Sequence, residues 1–225
     1  GKLLGSVSLH DIKHALRESE TVGAVVAHDL MTPVPHVARA TDRLHGRVTR
    51  LFVTPLILSL KRTLGRELPL IEFVPGFRYP LAGEFSMKTT LARQVRIPSD
   101  WGLEVGLLAE VFRNASSQRI CQVELTDNYD HKHQELSESD ATRGLHRMVL
   151  DIASSLIRNL ASYGVQFDAG FLNTLIAAYL RTAQDAVARY SDDAALNGLV
   201  FDRHEEEVAV ETFARALRTA GLSFV

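Results

Sequence analysis

Ile120-Cys121-Gln122-Val123-Glu124-Leu125, followed directly by Thr126-Asp127-Asn128-Tyr129-Asp130-His131-Lys132-His133-Gln134-Glu135-Leu136, is the stretch that decides the fold class we expect. Apolar and polar residues alternate along its first part, which is typical of a half-buried strand. Its second part places two histidines and two aspartates within seven residues. Such side chains bind divalent cations, and open α/β sheets place ligands at strand ends. The pattern predicts a strand-end site, with a hydrated polar loop as the alternative.

Length and composition indicate a soluble globular protein with a core of its own. The chain has 225 residues, of which 46% are hydrophobic and 23% are charged. These values are ordinary for a folded domain and argue against disorder. With 25 basic and 27 acidic residues, the net charge of -2 gives no general electrostatic case for nucleic acid or an anionic membrane.

The apolar runs and the cysteine content indicate in which cellular compartment we expect the protein. Lys61, Arg62 and Arg66 interrupt the most apolar stretch, 51–70, so no run approaches the roughly 20 residues that span a bilayer. The single cysteine, Cys121, excludes an intramolecular disulfide and fits a reducing, cytoplasmic location. Its place in a strand pattern favours a small core residue over a nucleophile.

The first 41 residues predict a strand, a short helix and a second strand. The pattern begins at residue 3 without a leader, so we expect an upstream portion to be missing from this chain. GSVSLHDI followed by VAHDLMTPVP resembles the end of one cystathionine-beta-synthase-type (CBS) motif and the linker into the next. By that resemblance, Ser8 and Asp11 would contact the ribose of an adenine nucleotide. An ordinary helix N-cap produces the same Ser-x-x-Asp spacing.

A long apolar helix is predicted over residues 48–64, and its start carries candidate anion-binding groups. Pro55 should kink this helix or mark its true start, because proline lacks a backbone donor. Arg47 and Thr49 follow Gly46, so a guanidinium and unpaired backbone N–H groups would face an anion together. A simple basic turn is the alternative.

A second candidate region combines a glycine- and proline-rich loop with a helix start. Gly83 and Glu84 lie in the loop, where glycine permits close backbone approach. The following helix, from about Trp101 to Phe112, is predicted to bury an apolar face formed by Leu103, Leu107, Leu108 and Val111. Glu104 in its first turn suits the helix dipole, and it could equally hold a sugar hydroxyl.

The rest of the chain predicts three helices, at about 140–163, 168–190 and 204–220. Apolar residues recur at three- and four-residue spacing, so we expect a packing region that also forms a homodimer. The run Arg203-His204-Glu205-Glu206-Glu207 predicts a solvated helix start.

Four motifs together carry a family resemblance. GRVTRL, YPLAGEF, WGLEVGLL and CQVELTDNYDHKHQEL occur in this order, and over residues 42–160 the chain resembles the C-terminal half of the glucosyl-3-phosphoglycerate synthase type of glycosyltransferase. The resemblance implies a GT-A fold, a nucleotide-sugar donor such as UDP-glucose, and a divalent metal, magnesium or manganese. It also implies a small anionic acceptor such as 3-phosphoglycerate or glycerate.

The resemblance also implies roles for individual residues. His131 would bind the metal, and Arg47 and Thr49 would hold the phosphate or carboxylate of the acceptor. Glu104 would lie beside the sugar or acceptor, with Gly83 and Glu84 lining the same cleft. His133 stands where many relatives carry asparagine, which makes it a candidate acceptor contact and leaves the acceptor open.

One part of the family pattern is absent. No Asp-x-Asp element precedes Arg47, so we expect the chain to lack a donor-binding half. The expected fold is α/β: a CBS-like or βαβ fragment at 1–41, the acceptor and metal half of a partial GT-A-like mixed sheet at 42–137, and a C-terminal helical region at 138–225. The competing hypothesis is a non-catalytic adenine-nucleotide-sensing or assembly module.

Overall fold

The computed structural model describes residues 46–123 and 134–225. The helices in these ranges are α1 (Thr54–Thr63), α2 (Pro69–Phe73), α3 (Thr89–Ala92), α4 (Leu103–Asn114), α5 (Gly144–Ser162), α6 (Ala169–Asn197) and α7 (Arg203–Leu222). A π-helical turn, Thr49–Val53, leads directly into α1, and short 3₁₀ turns lie at Val74–Gly76 and Ser117–Arg119. None of the helices in the described ranges is long and apolar enough to cross a membrane.

The predicted α/β class with a GT-A-like mixed sheet is wrong for this part of the chain. The described residues are 66% helical and contain no β-strand, which leaves no sheet to carry a strand-end site there. Cys121, Gln122 and Val123 of the expected strand are exposed and non-helical. An alternating segment forms a strand only where a neighbouring strand pairs with its backbone, and no such strand lies in these ranges. Cys121 is therefore not the predicted core residue.

The start of α1 shows how the fold accommodates Pro55. Because proline has no N–H group, the Leu51 carbonyl four residues earlier loses its usual helical donor. The Tyr179 hydroxyl, from the middle of α6, donates to this carbonyl at 2.8 Å. The π-helical turn lies at the same point, with the Thr54 N–H donating to the Thr49 carbonyl. The prediction that Pro55 would disturb the helix is confirmed, and a distant side chain supplies the missing bond.

The core lies among α1, α5, α6 and α7. Phe52 is fully buried, and its ring contacts those of Tyr179 and Phe213 edge to face, at 5.6 Å and 6.0 Å between centroids. Aromatic contacts of this kind add about 0.5–1.5 kcal/mol each beyond the area they bury. One apolar cluster thus joins residues from both sides of position 138. The predicted division of the chain into three segments stays a prediction.

The three predicted C-terminal helices are confirmed as α5, α6 and α7, and polar caps fix where two of them begin. Asp168 accepts a hydrogen bond from the Phe171 N–H at 2.8 Å at the start of α6. Asp202 accepts one from the Glu205 N–H at 3.0 Å at the start of α7. Such caps contribute about 0.5–2 kcal/mol each. The backbone at the start of α7 is therefore held in place by Asp202.

Candidate functional site

The helical turn at 46–50, which precedes α1 and runs into the π-helical turn, meets Tyr79 and the first turn of α4 in one place. Gly46 has φ +70°, a left-handed conformation that glycine adopts without strain. A Cβ atom at this position would lie 3.2 Å from Cε2 of Tyr79 and 4.0 Å from Cβ of Thr49. Glycine at position 46 therefore lets the Tyr79 ring lie against the start of the helix, next to Thr49.

Four polar side chains gather here, and we call Thr49, Tyr79, Glu84 and Glu104 the polar cluster. Burial raises the pKa of Tyr79, the neighbouring Thr49 hydroxyl offsets part of the rise, and the charges of Glu104 and Glu84 add to it. Burial also raises the pKa of Glu104; a bond from its own backbone N–H opposes this, and the charge of Glu84 reinforces it. Tyr79, Glu84 and Glu104 thus lie within electrostatic range of one another, and Thr49 lies next to Tyr79.

Two oxygens of the polar cluster are buried without a hydrogen-bond partner among the described residues, Thr49 Oγ1 and Glu104 Oε2. The Thr49 oxygen lies near enough to Tyr79 to affect its pKa, yet it makes no bond of acceptable geometry. Buried polar atoms are nearly always paired, and an unpaired one costs about 1–3 kcal/mol. These two oxygens are therefore suited to a ligand that brings hydroxyl groups.

Close helix contact sets the position of Glu104. A Cβ atom on Gly102 would lie 2.6 Å from Cβ of Ser155, and one on Gly106 would lie 3.1 Å from Oγ of the same serine. Because these two positions carry no side chain, α4 approaches α5 directly. The Gly102 N–H also donates to Asp100 at 2.9 Å, which fixes the turn before α4. Glu104 therefore projects from a rigid helix start.

Arg47, beside the polar cluster, is held by two carboxylates from the start of α7. Its Nε donates to Glu206 Oε1 at 2.8 Å, and its Nη1 lies 2.9 Å from Glu205 Oε1. Burial by itself lowers the pKa of Arg47, but the charges of Glu206 and Glu205 raise it above the ordinary arginine value. Arg47 is thus ionised and directed toward α7.

Arg50 completes this charged group on the same face of the helix. Its Nη2 donates to Glu206 Oε2 at 3.1 Å, and its guanidinium carbon lies 4.8 Å from the centre of the Tyr190 ring. Glu206 is buried, with 6% of its side chain exposed. The predicted solvated start of α7 is therefore wrong for Glu206, because the two arginines take this carboxylate out of water and satisfy both of its oxygens.

The structure brings together only part of the predicted site. Thr49, Glu84 and Glu104 meet in the polar cluster, whereas Arg47 faces Glu205 and Glu206. Gly83 is exposed, and apart from its chain neighbours no described residue lies within 4 Å of where its Cβ would be. The remaining candidates lie outside the described residues: Ser8, Asp11, His131 and His133.

Four residues of the site were not predicted from the sequence: Arg50, Tyr79, Glu205 and Glu206. Tyr79 belongs to the YPLAGEF motif, which was the available signal. Glu206 offered no local signal, because its partner Arg47 lies 159 positions earlier in the chain. Within the described ranges, no group of three or more histidine, cysteine, aspartate or glutamate side chains has the geometry to hold a metal ion.

Comparison with curated proteins shows that the chain is similar in sequence to glycosyltransferases. The particular relatives are glucosyl-3-phosphoglycerate synthases. That of Persephonella marina is 47% identical over 190 residues, which is 84% of this chain and 47% of the relative. That of Methanococcoides burtonii is 47% identical over 179 residues, 79% of this chain and 43% of the relative. The resemblance based on the four motifs is thereby confirmed.

The matches cover most of this chain but only part of each relative. The chain spans about half the length of the curated relatives it matches. A third synthase, from Mycolicibacterium paratuberculosis, is 32% identical over 96 residues. A match of 190 residues is longer than the range 42–160 on which the resemblance was based, and nothing in it supports the CBS-like segment. No protein-family model matches the chain, and no solved structure gives a significant match.

Proposed function

We propose that this chain takes part in the transfer of a glucosyl group from a nucleotide sugar to 3-phosphoglycerate, with the acceptor held at the helical turn 46–50 that precedes α1. The observation that carries the proposal is the 47% identity to two glucosyl-3-phosphoglycerate synthases over about four fifths of the chain. Those relatives are named for a product that joins a glucosyl group to 3-phosphoglycerate. UDP-glucose, or a similar nucleotide sugar, is the donor we propose.

The acceptor's anionic group would bind Arg47 and Thr49. The Arg47 guanidinium is ionised, and Thr49 Oγ1 is a buried hydroxyl without a hydrogen-bond partner in the described ranges. A helix start adds backbone N–H groups and the positive end of the helix dipole, both of which favour an anion. The acceptor would have to share Arg47 with the carboxylates of α7, and His133 is a further proposed acceptor contact.

Hydroxyl groups of the sugar or acceptor would bind at the other side of the polar cluster. Glu104 Oε2 is buried and unpaired among the described residues, so it can accept a hydrogen bond from such a hydroxyl. Because burial and the charge of Glu84 raise its pKa, a donor in this position would relieve part of the cost of ionising Glu104. Tyr79 and Glu84 would form the adjacent wall.

The metal and the homodimer remain proposals that rest on the resemblance and on helix patterning. The described residues do not fit a metal by themselves, since they hold no group of three or more suitable side chains. His131 is the ligand we propose for magnesium or manganese. A metal bound there would neutralise negative charge on the diphosphate of the donor.

Isothermal titration of 3-phosphoglycerate into the wild-type chain and two arginine variants tests the acceptor end. Arg47→Ala should weaken binding by about 1.5–3 kcal/mol if the lost bond is charge-assisted. Arg181→Ala is the matched control, because Arg181 is exposed on α6 and pairs with Asp185 instead. Equal affinity in the two variants would remove Arg47 from the proposal.

The same experiment separates the classes of function. Titration with 3-phosphoglycerate should give binding, whereas titration with ATP or AMP should give none. Binding of the adenine nucleotide alone would contradict glycosyl transfer and favour the sensing module. A second variant, Thr49→Val, keeps the shape of the side chain and removes its hydroxyl, so it should weaken 3-phosphoglycerate binding by about 0.5–1.5 kcal/mol.

A further inference from the structure

The two carboxylates that hold Arg47 differ sharply in their exposure. Glu206 contacts Nε and keeps only 6% of its side chain exposed, whereas Glu205 contacts Nη1 and keeps 54% exposed. Glu206 is also bound by Arg50, so moving it would break two contacts of buried groups. Among the described residues, Glu205 makes one ion pair, at the surface. Moving Glu205 away from Arg47 therefore breaks fewer contacts than moving Glu206.

The cap of α7 makes this movement simple. The Glu205 N–H donates to Asp202 at 3.0 Å, which fixes the backbone at the start of the helix. The Glu205 carboxylate lies beyond several rotatable bonds of an exposed side chain. A rotation of that side chain alone would free Nη1 of Arg47, while Glu206 would keep the guanidinium in place through Nε.

We propose that Glu205 is an internal competitor for the anion site. An acceptor phosphate or carboxylate binds Arg47 by displacing the Glu205 carboxylate from Nη1, and Glu206 holds the guanidinium in orientation throughout the exchange. This inference rests on the proposed function, since it requires Arg47 to receive the anionic group of the acceptor. It assigns Glu205 the role of setting acceptor affinity without itself contacting the acceptor.

A comparison of Glu205→Gln with Glu207→Gln tests the inference. Both substitutions remove one negative charge from the first turns of α7, but Glu207 pairs with Arg203 at 2.8 Å and not with Arg47. Exposed ion pairs change an equilibrium constant by up to about fivefold. Glu205→Gln should therefore lower the Kd for 3-phosphoglycerate roughly two- to fivefold. Glu207→Gln should change it less than about 1.5-fold, because its charge is screened by solvent.

The second test measures the effect of Glu205→Gln on the Kd for 3-phosphoglycerate in a chain that also carries Arg47→Ala. With no guanidinium to compete for, the substitution should leave the Kd unchanged. Equal effects of Glu205→Gln and Glu207→Gln, or an undiminished effect in the Arg47→Ala background, would overturn the inference. If wild type binds and Arg47→Ala weakens binding while Glu205→Gln does nothing, only the inference fails. If neither wild type nor Glu205→Gln binds 3-phosphoglycerate, the proposed function fails with it.

Discussion

Replacing Tyr179 by phenylalanine removes one hydroxyl group from the centre of the helical core and nothing else. That hydroxyl donates to the Leu51 carbonyl, which has no N–H from Pro55 to pair with. Burial raises the pKa of Tyr179 well above its ordinary value, so the group stays protonated and able to donate. Tyr179→Phe would take this side-chain donor away from the Leu51 carbonyl.

The expected loss follows from the cost of removing a donor from a buried acceptor. Such a removal costs about 1–3 kcal/mol, and no cavity term adds to it because the ring remains. Pro55→Ala supplies an N–H group at the position that can reach the Leu51 carbonyl. In that background Tyr179→Phe should cost less, with a coupling of at least about 0.5 kcal/mol. The cycle also cancels the effect of proline on the unfolded chain.

Urea unfolding followed by far-ultraviolet circular dichroism measures the free energy of unfolding of the wild type, the two single variants and the double variant. The m-values of the four proteins are checked for equality. Tyr163→Phe is the control, because Tyr163 is half-buried beside Arg113, and its loss should stay within about 0.5 kcal/mol. An equal cost for Tyr179→Phe with and without Pro55 would refute the link between the two residues. So would a cost no larger than that of the control.

Two further substitutions test the charges around the site. Glu206→Ala should lower the free energy of unfolding by about 1–3 kcal/mol, because it removes the buried carboxylate that both Arg47 and Arg50 contact. Glu207→Ala should cost under about 0.5 kcal/mol. Glu104→Gln should stabilise the fold at neutral pH, since burial and the charge of Glu84 raise the pKa of Glu104 and so disfavour its ionised form. That gain is complete above the raised pKa and disappears as the pH falls toward the ordinary glutamate value of about 4.3. Unfolding free energies measured from neutral to acidic pH would contradict the second prediction if the difference stayed constant.

The presence of the helices could be predicted because apolar spacing is a local signal. The residue at which α6 ends and the face that α4 buries could not. The sequence predicts the end of α6 at about 190, with Ser191-Asp192-Asp193 and Asn197-Gly198 together separating the last two helices. The helix continues to Asn197 and ends where Gly198 adopts φ +65°. Polar residues on an exposed face do not stop a helix, whereas a left-handed glycine does.

The face of α4 shows a second limit of hydrophobic patterning. Leu103, Leu107, Leu108 and Val111 were the predicted apolar face, yet the helix buries Val105, Gly106, Leu107, Ala109 and Glu110. Contact with α5 runs through Gly102 and Gly106, which carry no hydrophobic signal but let the backbones approach. The buried carboxylate of Glu110 accepts from the Arg96 N–H at 3.0 Å. The face that α4 buries therefore follows from its close contact with α5 and from the hydrogen bond that Glu110 accepts.

The segment Gly46-Arg47-Val48-Thr49-Arg50 joins the proposed ligand site to the stability of the bundle. Residues three apart share a helix face, and Arg47 and Arg50 both bind Glu206 of α7. Thr49 instead lies beside Tyr79, in the polar cluster. One turn therefore anchors α7 through Arg47 and Arg50 and places Thr49 in the polar cluster, and the proposed acceptor site draws on both Arg47 and Thr49. Loss of Glu206 should consequently lower both stability and the order of Arg47, whereas loss of the exposed Glu205 should change acceptor affinity alone.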